Sequence, residues 1–191
     1  LLTGERRTVE DLLYGLLIPS GNDAATALAR YLGDQNREGE SANGVDAFVA
    51  RMNQRAAEMG LTQTNFVNPH GIDADNHVST AIDVLSLTLT RTLLNHQLFR
   101  QIVQLQEVSI GGRQLKNTNQ LLGSFPGADG IKTGTTPLSG QSLVASVTRN
   151  GHQVLIIILG SRNRYQDAES LYSFYERQYE WRNSLFLNCS H

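Results

Sequence analysis

Apolar positions repeat with a helical period over most of residues 1–105 and follow strand-like patterns over most of residues 106–191. Apolar residues three and four positions apart mark one face of a helix, whereas alternation or a short β-branched run indicates a strand. The helical spacing predicts five helices, which begin near Thr8, Asn22, Asp46, Ala81 and Tyr165 and end near Pro19, Leu32, Met59, Leu94 and Trp181.

Polar and conformationally special residues mark the ends of these helices. Thr8 is a suitable N-cap, and Asp11 follows in the acidic first turn. Pro19 ends the first helix because it lacks a backbone N–H and restricts the residue before it. Gly60 stands just after the third helix, where glycine is favoured. The polar segment 33–44 is predicted to be a surface loop.

The second half carries the signals of an antiparallel meander. A short hairpin with a Gly-Gly turn precedes a strand near Gly130–Gly134. The segments "SLVASVTR" and "HQVLIIIL" flank Asn150-Gly151, a dipeptide typical of tight hairpins. Helices followed by a meander and a closing helix favour an α+β fold over a parallel βαβ sheet. We interpret residues 1–191 as a single domain, with residues 1–105 mainly helical and residues 106–191 forming an antiparallel sheet and a C-terminal helix.

Composition narrows the function classes. The chain has 191 residues, of which 40% are hydrophobic and 18% charged, and its net charge is -2. This balance is ordinary for a soluble globular domain and argues against a nucleic-acid partner. No apolar run approaches the length of a transmembrane helix. Lysine occurs only at Lys116 and Lys132, and the single cysteine, Cys189, is expected to be an exposed tail thiol.

Two short motifs carry candidate chemistry. Ser20-Gly21-Asn22 lies between two predicted helices, where it could also be a simple capping pair. Lys132-Thr133-Gly134 lies on a predicted strand and offers an ammonium, a hydroxyl and an edge without a side chain. Ser-x-Asn and Lys-Thr-Gly elements occur together, with Ser-x-x-Lys, in penicillin-interacting serine enzymes.

With these motifs in this order, the chain resembles the serine D-alanyl-D-alanine carboxypeptidases, the low-molecular-mass penicillin-binding proteins of peptidase family S11. The similar stretches are "SGNDAATALA", "FVARMNQRAAEMGLTQTNFVNPHGIDADNHVSTAIDV", "GADGIKTGTT", "SLVAS" and "ILGSRNR". The resemblance implies a penicillin-binding, β-lactamase-like transpeptidase fold. It also implies removal of the terminal D-alanine from peptidoglycan pentapeptide stems through an acyl-enzyme, acylation by β-lactams, no cofactor, and a bacterial, extracytoplasmic location.

The resemblance also implies catalytic roles for three residues. Ser20 is expected to lie beside the nucleophile and to relay a proton to the leaving amine. Asn22 is expected to hydrogen-bond the acyl-side amide of the substrate. Lys132 is expected to supply positive potential to the substrate carboxylate and to the serine network.

Four further residues are implied to bind substrate. Thr133 is expected to contact the terminal carboxylate, and Gly134 allows the substrate backbone to approach the strand. The backbone amide of Thr135 is expected to form half of an oxyanion hole. An arginine after the last strand, Arg162 or Arg164, is expected to hold the carboxylate, because arginine suits bidentate pairing. We assign this role to Arg162.

The family's nucleophile motif, Ser-x-x-Lys, is missing from these residues. Arg113 stands three positions before Lys116, and Asp129 three before Lys132, so neither lysine fits the motif. We expect the motif and the first sheet strands to precede Leu1, which makes this an N-terminally truncated domain that is inactive alone. We expect a partner chain or a second copy to complete the fold, and any membrane anchor to lie outside this chain.

The polar connection over residues 64–79 is long enough to be functional or closely packed. Its residues His70, Asp73, Asp75 and His77 are of metal-ligating types. The family has a similar loop, in which His-Gly followed by Asp is a turn and packing feature. We therefore predict no metal site.

Two alternatives stay open. A non-catalytic peptidoglycan-binding module would keep the cleft and lack the nucleophile. A class A β-lactamase relative would need a glutamate on the loop between the motifs. The loop over residues 64–79 holds Asp73 and Asp75 but no glutamate, and Ser20-Gly21-Asn22 stands where those enzymes have "SDN".

Overall fold

The computed structural model describes residues 1–35, 43–89 and 96–181. The helices are α1 (Val9–Leu17), α2 (Asn22–Gln35), α3 (Gly44–Glu58), α4 (Ala81–Leu89), α5 (Gln97–Val103) and α6 (Arg164–Gln178). The strands are β1 (Glu107–Ile110), β2 (Arg113–Lys116), β3 (Ala128–Thr136), β4 (Gly140–Arg149) and β5 (His152–Ser161). Helices precede an antiparallel meander that a last helix closes, which confirms the predicted α+β class.

Local sequence rules explain how α1 and α2 begin. Asp11 donates its backbone N–H to the Thr8 hydroxyl at 3.0 Å, and the Asp11 carboxylate accepts from the Thr8 amide, so the predicted cap is a full capping box. Helix α2 begins at Asn22, where the sequence predicted a start at Asn22 or Asp23, but it continues past Leu32 to Gln35. Gly33 lies in this extra stretch and lets the start of α3 approach α2, because a Cβ there would lie 1.7 Å from the carbonyl oxygen of Gly44.

Other boundaries differ from the predictions. Helix α3 begins before Asp46, because the Asn43 side chain accepts from the amides of Val45 and Asp46. The short helix α5 was not predicted. Helix α6 ends before Trp181, whose ring instead stacks on His152 with centroids 4.1 Å apart. The predictions for Leu94, Cys189 and most of the 33–44 loop fall outside the described residues.

The three-stranded sheet has the order β3-β4-β5, with antiparallel pairing throughout. Asn150 and Gly151 join β4 to β5 with φ of 52° and 78°, the left-handed conformation that the predicted tight hairpin requires. Helix α6 covers one face of this sheet. The core between them contains Leu121, Leu143, Ala145, Val147, Ile156, Ile158, Ala168 and Tyr172.

The strands β1 and β2 form the separate hairpin predicted around the Gly-Gly turn. Within the described ranges, no helix combines the length and apolarity needed to cross a bilayer.

Candidate active site

Ser20 occupies a tight junction between α1 and α2. Its φ of 62° is unusual for a residue with a side chain and costs about 1–2 kcal/mol. The next residue, Gly21, donates its N–H to the carbonyl of Gly15 at 2.9 Å. A Cβ on Gly21 would lie 2.8 Å from that same oxygen, so only glycine fits. The junction thereby presents both Ser20 and Asn22 to one cleft.

Lys132 reaches this junction from strand β3. Its Nζ donates to the Ser20 Oγ at 2.6 Å and to the Thr133 carbonyl at 2.7 Å. Burial and, to a smaller extent, the nearby positive charge of Arg164 together lower the pKa of Lys132 from 10.5 to about 8. An amine with this pKa can exchange a proton with a hydroxyl partner near neutral pH.

The remaining Lys-Thr-Gly residues line the same wall. Thr133 is buried, and its Oγ1 lies 2.6 Å from the Oγ1 of Thr118. Gly134 and Thr135 are exposed along the cleft. Thr118 was not predicted as a site residue, although the polar triplet "NTN" after β2 was a signal.

The arginine at this wall is Arg164. Its guanidinium donates to the Gly134 carbonyl at 2.6 Å and to the Thr135 hydroxyl at 2.7 Å. Arg162, the residue assigned from the sequence, is exposed and does not line the cleft. The reason is the cap of α6, since Asn163 accepts from the Gln166 amide and the helix then begins at Arg164. The structure therefore favours Arg164 over Arg162 as the arginine that a bound carboxylate would meet.

The cleft has a volume of about 840 Å³. The other wall of the cleft is the connection over residues 64–79, which was predicted to be functional or closely packed. His70 and His77 are among its lining residues. Each of these imidazoles accepts a backbone N–H at Nδ1, His70 from Ile72 at 3.3 Å and His77 from Val67 at 3.1 Å. Burial lowers the pKa of His77, and His70 acts in the same direction. In the described part of the chain, no group of three or more metal-ligating side chains is arranged around one point.

The cleft is thus rich in hydrogen-bond donors and positive potential. The ammonium of Lys132 and the guanidinium of Arg164 lie near the hydroxyls of Ser20, Thr133 and Thr135. Such a set of groups suits a ligand that ends in a carboxylate.

Two solved structures with a similar fold are a DD-transpeptidase and a penicillin-binding protein. The structure resembles the Streptomyces K15 DD-transpeptidase with a TM-score of 0.83 and 33% identity, covering 93% of this chain and 71% of that one. It also resembles penicillin-binding protein D2 of Listeria monocytogenes, solved in an ampicillin-bound form, with a TM-score of 0.76 and 32% identity over 90% of this chain and 68% of that one. These neighbours confirm the predicted penicillin-binding fold.

Sequence comparison agrees with the fold. The D-alanyl-D-alanine carboxypeptidase model of peptidase family S11 matches residues 1–163. D-alanyl-D-alanine carboxypeptidase DacF of Bacillus subtilis is 31% identical over 185 residues, which cover 93% of this chain and 45% of that protein. The chain belongs to the S11 family of D-alanyl-D-alanine carboxypeptidases. It spans about half the length of the Bacillus relative.

Proposed function

We propose that this chain is the larger part of a serine-type D-alanyl-D-alanine carboxypeptidase domain, which removes the terminal D-alanine from peptidoglycan pentapeptides. The observation that carries the proposal is the contact between Lys132 and Ser20, which joins the Ser-x-Asn and Lys-Thr-Gly motifs in one cleft. Membership of the S11 family supports the same activity.

The proposed reaction is an acyl transfer to a serine outside these residues. That serine attacks the carbonyl carbon of the penultimate D-alanine, and the bond from this carbon to the nitrogen of the terminal D-alanine breaks. The proton of the serine passes to the leaving amine, with Ser20 and Lys132 as the relay. Water then hydrolyses the ester, which returns the serine hydroxyl and releases the shortened peptide.

Other residues of the cleft bind the substrate in this proposal. Asn22 holds the acyl-side amide, while Thr133 and Arg164 hold the terminal carboxylate. Gly134 lets the peptide approach β3, and the Thr135 amide stabilises the developing oxyanion.

The nucleophile is the part of the mechanism that these 191 residues do not supply. Neither Lys116 nor Lys132 has a serine three positions before it. We therefore propose that the chain alone is inactive, and that a Ser-x-x-Lys segment elsewhere in the encoded protein completes the site. The proposal includes acylation by β-lactams and a place outside the cytoplasmic membrane, where peptidoglycan stems are found.

A non-catalytic peptidoglycan-binding module is the second candidate, and the same missing motif favours it. In such a protein the cleft would bind stem peptides without cleaving them.

Labelling with a fluorescent penicillin separates the two candidates. The full encoded protein, the 191-residue chain, and a Ser→Ala variant of any Ser-x-x-Lys in the encoded protein are incubated with the label and analysed by intact mass. The carboxypeptidase proposal predicts one covalent adduct on the full protein alone, and none on the chain or the variant. A folded full protein that binds stem peptide but is never acylated would support the binding module.

A further inference from the structure

The loop over residues 64–80, which forms the second wall of the cleft, is fastened at its base. Asn65 and Val78 exchange backbone hydrogen bonds of 2.9 and 3.0 Å. The buried carboxylate of Asp83 accepts from the Gln63 amide at 3.1 Å and from the Thr64 hydroxyl at 2.7 Å. These bonds fix where the loop leaves and rejoins the helical part.

The far end of the 64–80 loop is fastened by Asp73. Its carboxylate accepts from the Thr136 hydroxyl at 2.6 Å, the Ser139 hydroxyl at 2.8 Å and the Leu138 amide at 3.0 Å. The Thr136 hydroxyl also accepts from the Ser139 amide at 3.2 Å. The turn between β3 and β4 is therefore organised around a carboxylate from the opposite wall of the cleft.

This turn directly follows the Lys-Thr-Gly segment. Thr136 is the last residue of β3 and pairs with Gly140, the first of β4. Its neighbour Thr135 carries the hydroxyl that Arg164 contacts. A movement of Thr136 must therefore displace the backbone of Thr135, because the two share a peptide bond.

We propose that Asp73 is a positioning residue, which sets the distance between the 64–80 loop and the end of β3 and so holds the Thr135 amide where acylation needs it. This inference rests on the proposed function, since it concerns the rate of that reaction. The hydrogen-bond partners of Asp73 are Thr136, Leu138 and Ser139, and they do not include Ser20 or Lys132.

The three donors require a carboxylate at this position. Both oxygens of Asp73 accept, and the pKa of Asp73 lies below its ordinary value because Thr136 and Leu138 donate to the charged form. An asparagine could still accept at one oxygen, but its amide group would turn N–H donors toward the Leu138 amide.

The test compares Asp73→Asn with Asp75→Asn in the full encoded protein. Asp75 is a matched control, since it lies in the same loop, is exposed, and has no side-chain hydrogen bond within the described ranges. Because small misplacements of reacting groups can cost up to 10²-fold, we expect Asp73→Asn to slow acylation at saturating penicillin by about tenfold. The concentration for half-maximal rate should change little, and Asp75→Asn should match the wild type.

Amide hydrogen exchange supplies a second readout that does not depend on activity. Asp73→Asn should accelerate exchange at the amides of Leu138 and Ser139, which donate to Asp73 and to the Thr136 hydroxyl, whereas Asp75→Asn should not. Ser139→Ala, which removes one donor and leaves the carboxylate, should give a smaller effect at the same amides. This variant tests the idea even if Asp73→Asn folds poorly.

The outcomes separate this inference from the proposed function. Slower acylation together with faster exchange at Leu138 and Ser139 in Asp73→Asn supports the positioning role. Equal acylation rates in both variants overturn it. If the wild-type protein is never acylated, the proposed function fails, and the exchange data alone decide whether Asp73 fixes the end of β3.

Discussion

Lys132 should lose its proton at a lower pH than an ordinary lysine does. Its ammonium is held between Ser20 and the carbonyl of Thr133, largely out of water and near Arg164. Burial disfavours the charged amine, and the neighbouring guanidinium repels it. Both effects act in one direction, so the pKa falls from 10.5 to about 8.

The size of this shift has a consequence for stability. At about 1.4 kcal/mol per pKa unit, the charged form of Lys132 is disfavoured by about 3 kcal/mol in the folded chain. The folded pKa lies below the unfolded one, so between pH 8 and 10.5 the unfolded state binds more protons. The contribution of Lys132 to the free energy of unfolding should therefore rise with pH across that window, by about 3 kcal/mol at most.

The chain suits a direct assay because it has two lysines. Lys116→Arg leaves Lys132 as the one lysine whose side-chain ¹³Cε signal can be titrated by NMR. We expect a midpoint near pH 8, and a higher midpoint in Arg164→Gln, since that change removes the second cause of the shift. Urea denaturation compared with Lys132→Met should show the pH-dependent difference in stability. A midpoint of 10 or above, or no change in Arg164→Gln, would refute the reasoning.

Three further predictions concern the cap, the core and the arginine. Thr8→Ala removes the capping box and should lower the free energy of unfolding by about 1 kcal/mol in urea denaturation, and a change near zero would show that the cap is dispensable. Leu143→Ala empties a fully buried site and should cost about 2–5 kcal/mol in the same assay, whereas a cost below about 1 kcal/mol would contradict its core position. In the full encoded protein, Arg164→Gln should slow penicillin acylation by about tenfold or more, since a charge-assisted bond is worth about 1.5–3 kcal/mol. Arg162→Gln is its exposed control, and equal loss in both variants would argue against the choice of Arg164.

Elements governed by local rules were predictable from the sequence. Thr8 and Asp11 fixed the start of α1, and Asn150-Gly151 fixed the hairpin between β4 and β5. Helix α5 was not predictable in this way. Its N-cap His96 makes no side-chain capping bond, and the helix is stabilised by burial of Ile102 and Val103. Such burial depends on the rest of the fold.

In the candidate site, the motif residues were predictable from the sequence, whereas the contacts between distant residues were not. The motifs identified Ser20 and Lys132 as candidate site residues. The structure adds the contact between them, which joins positions 112 residues apart. The choice between Arg162 and Arg164 depended on which guanidinium reaches Gly134 and Thr135, a contact across about thirty positions that the sequence left open. The bonds of Asp73 to the β3–β4 turn also lay beyond sequence reasoning, because they join residues more than sixty positions apart.

The most direct test of the account is release of D-alanine from a peptidoglycan stem pentapeptide by the full encoded protein, followed by mass spectrometry of the peptide. We expect the peptide to lose one terminal D-alanine, and we expect Lys132→Met to abolish this loss while the variant stays folded. A folded wild-type protein that leaves the pentapeptide intact would contradict the proposed carboxypeptidase activity, and a Lys132→Met variant that cleaves at the wild-type rate would contradict the role of Lys132.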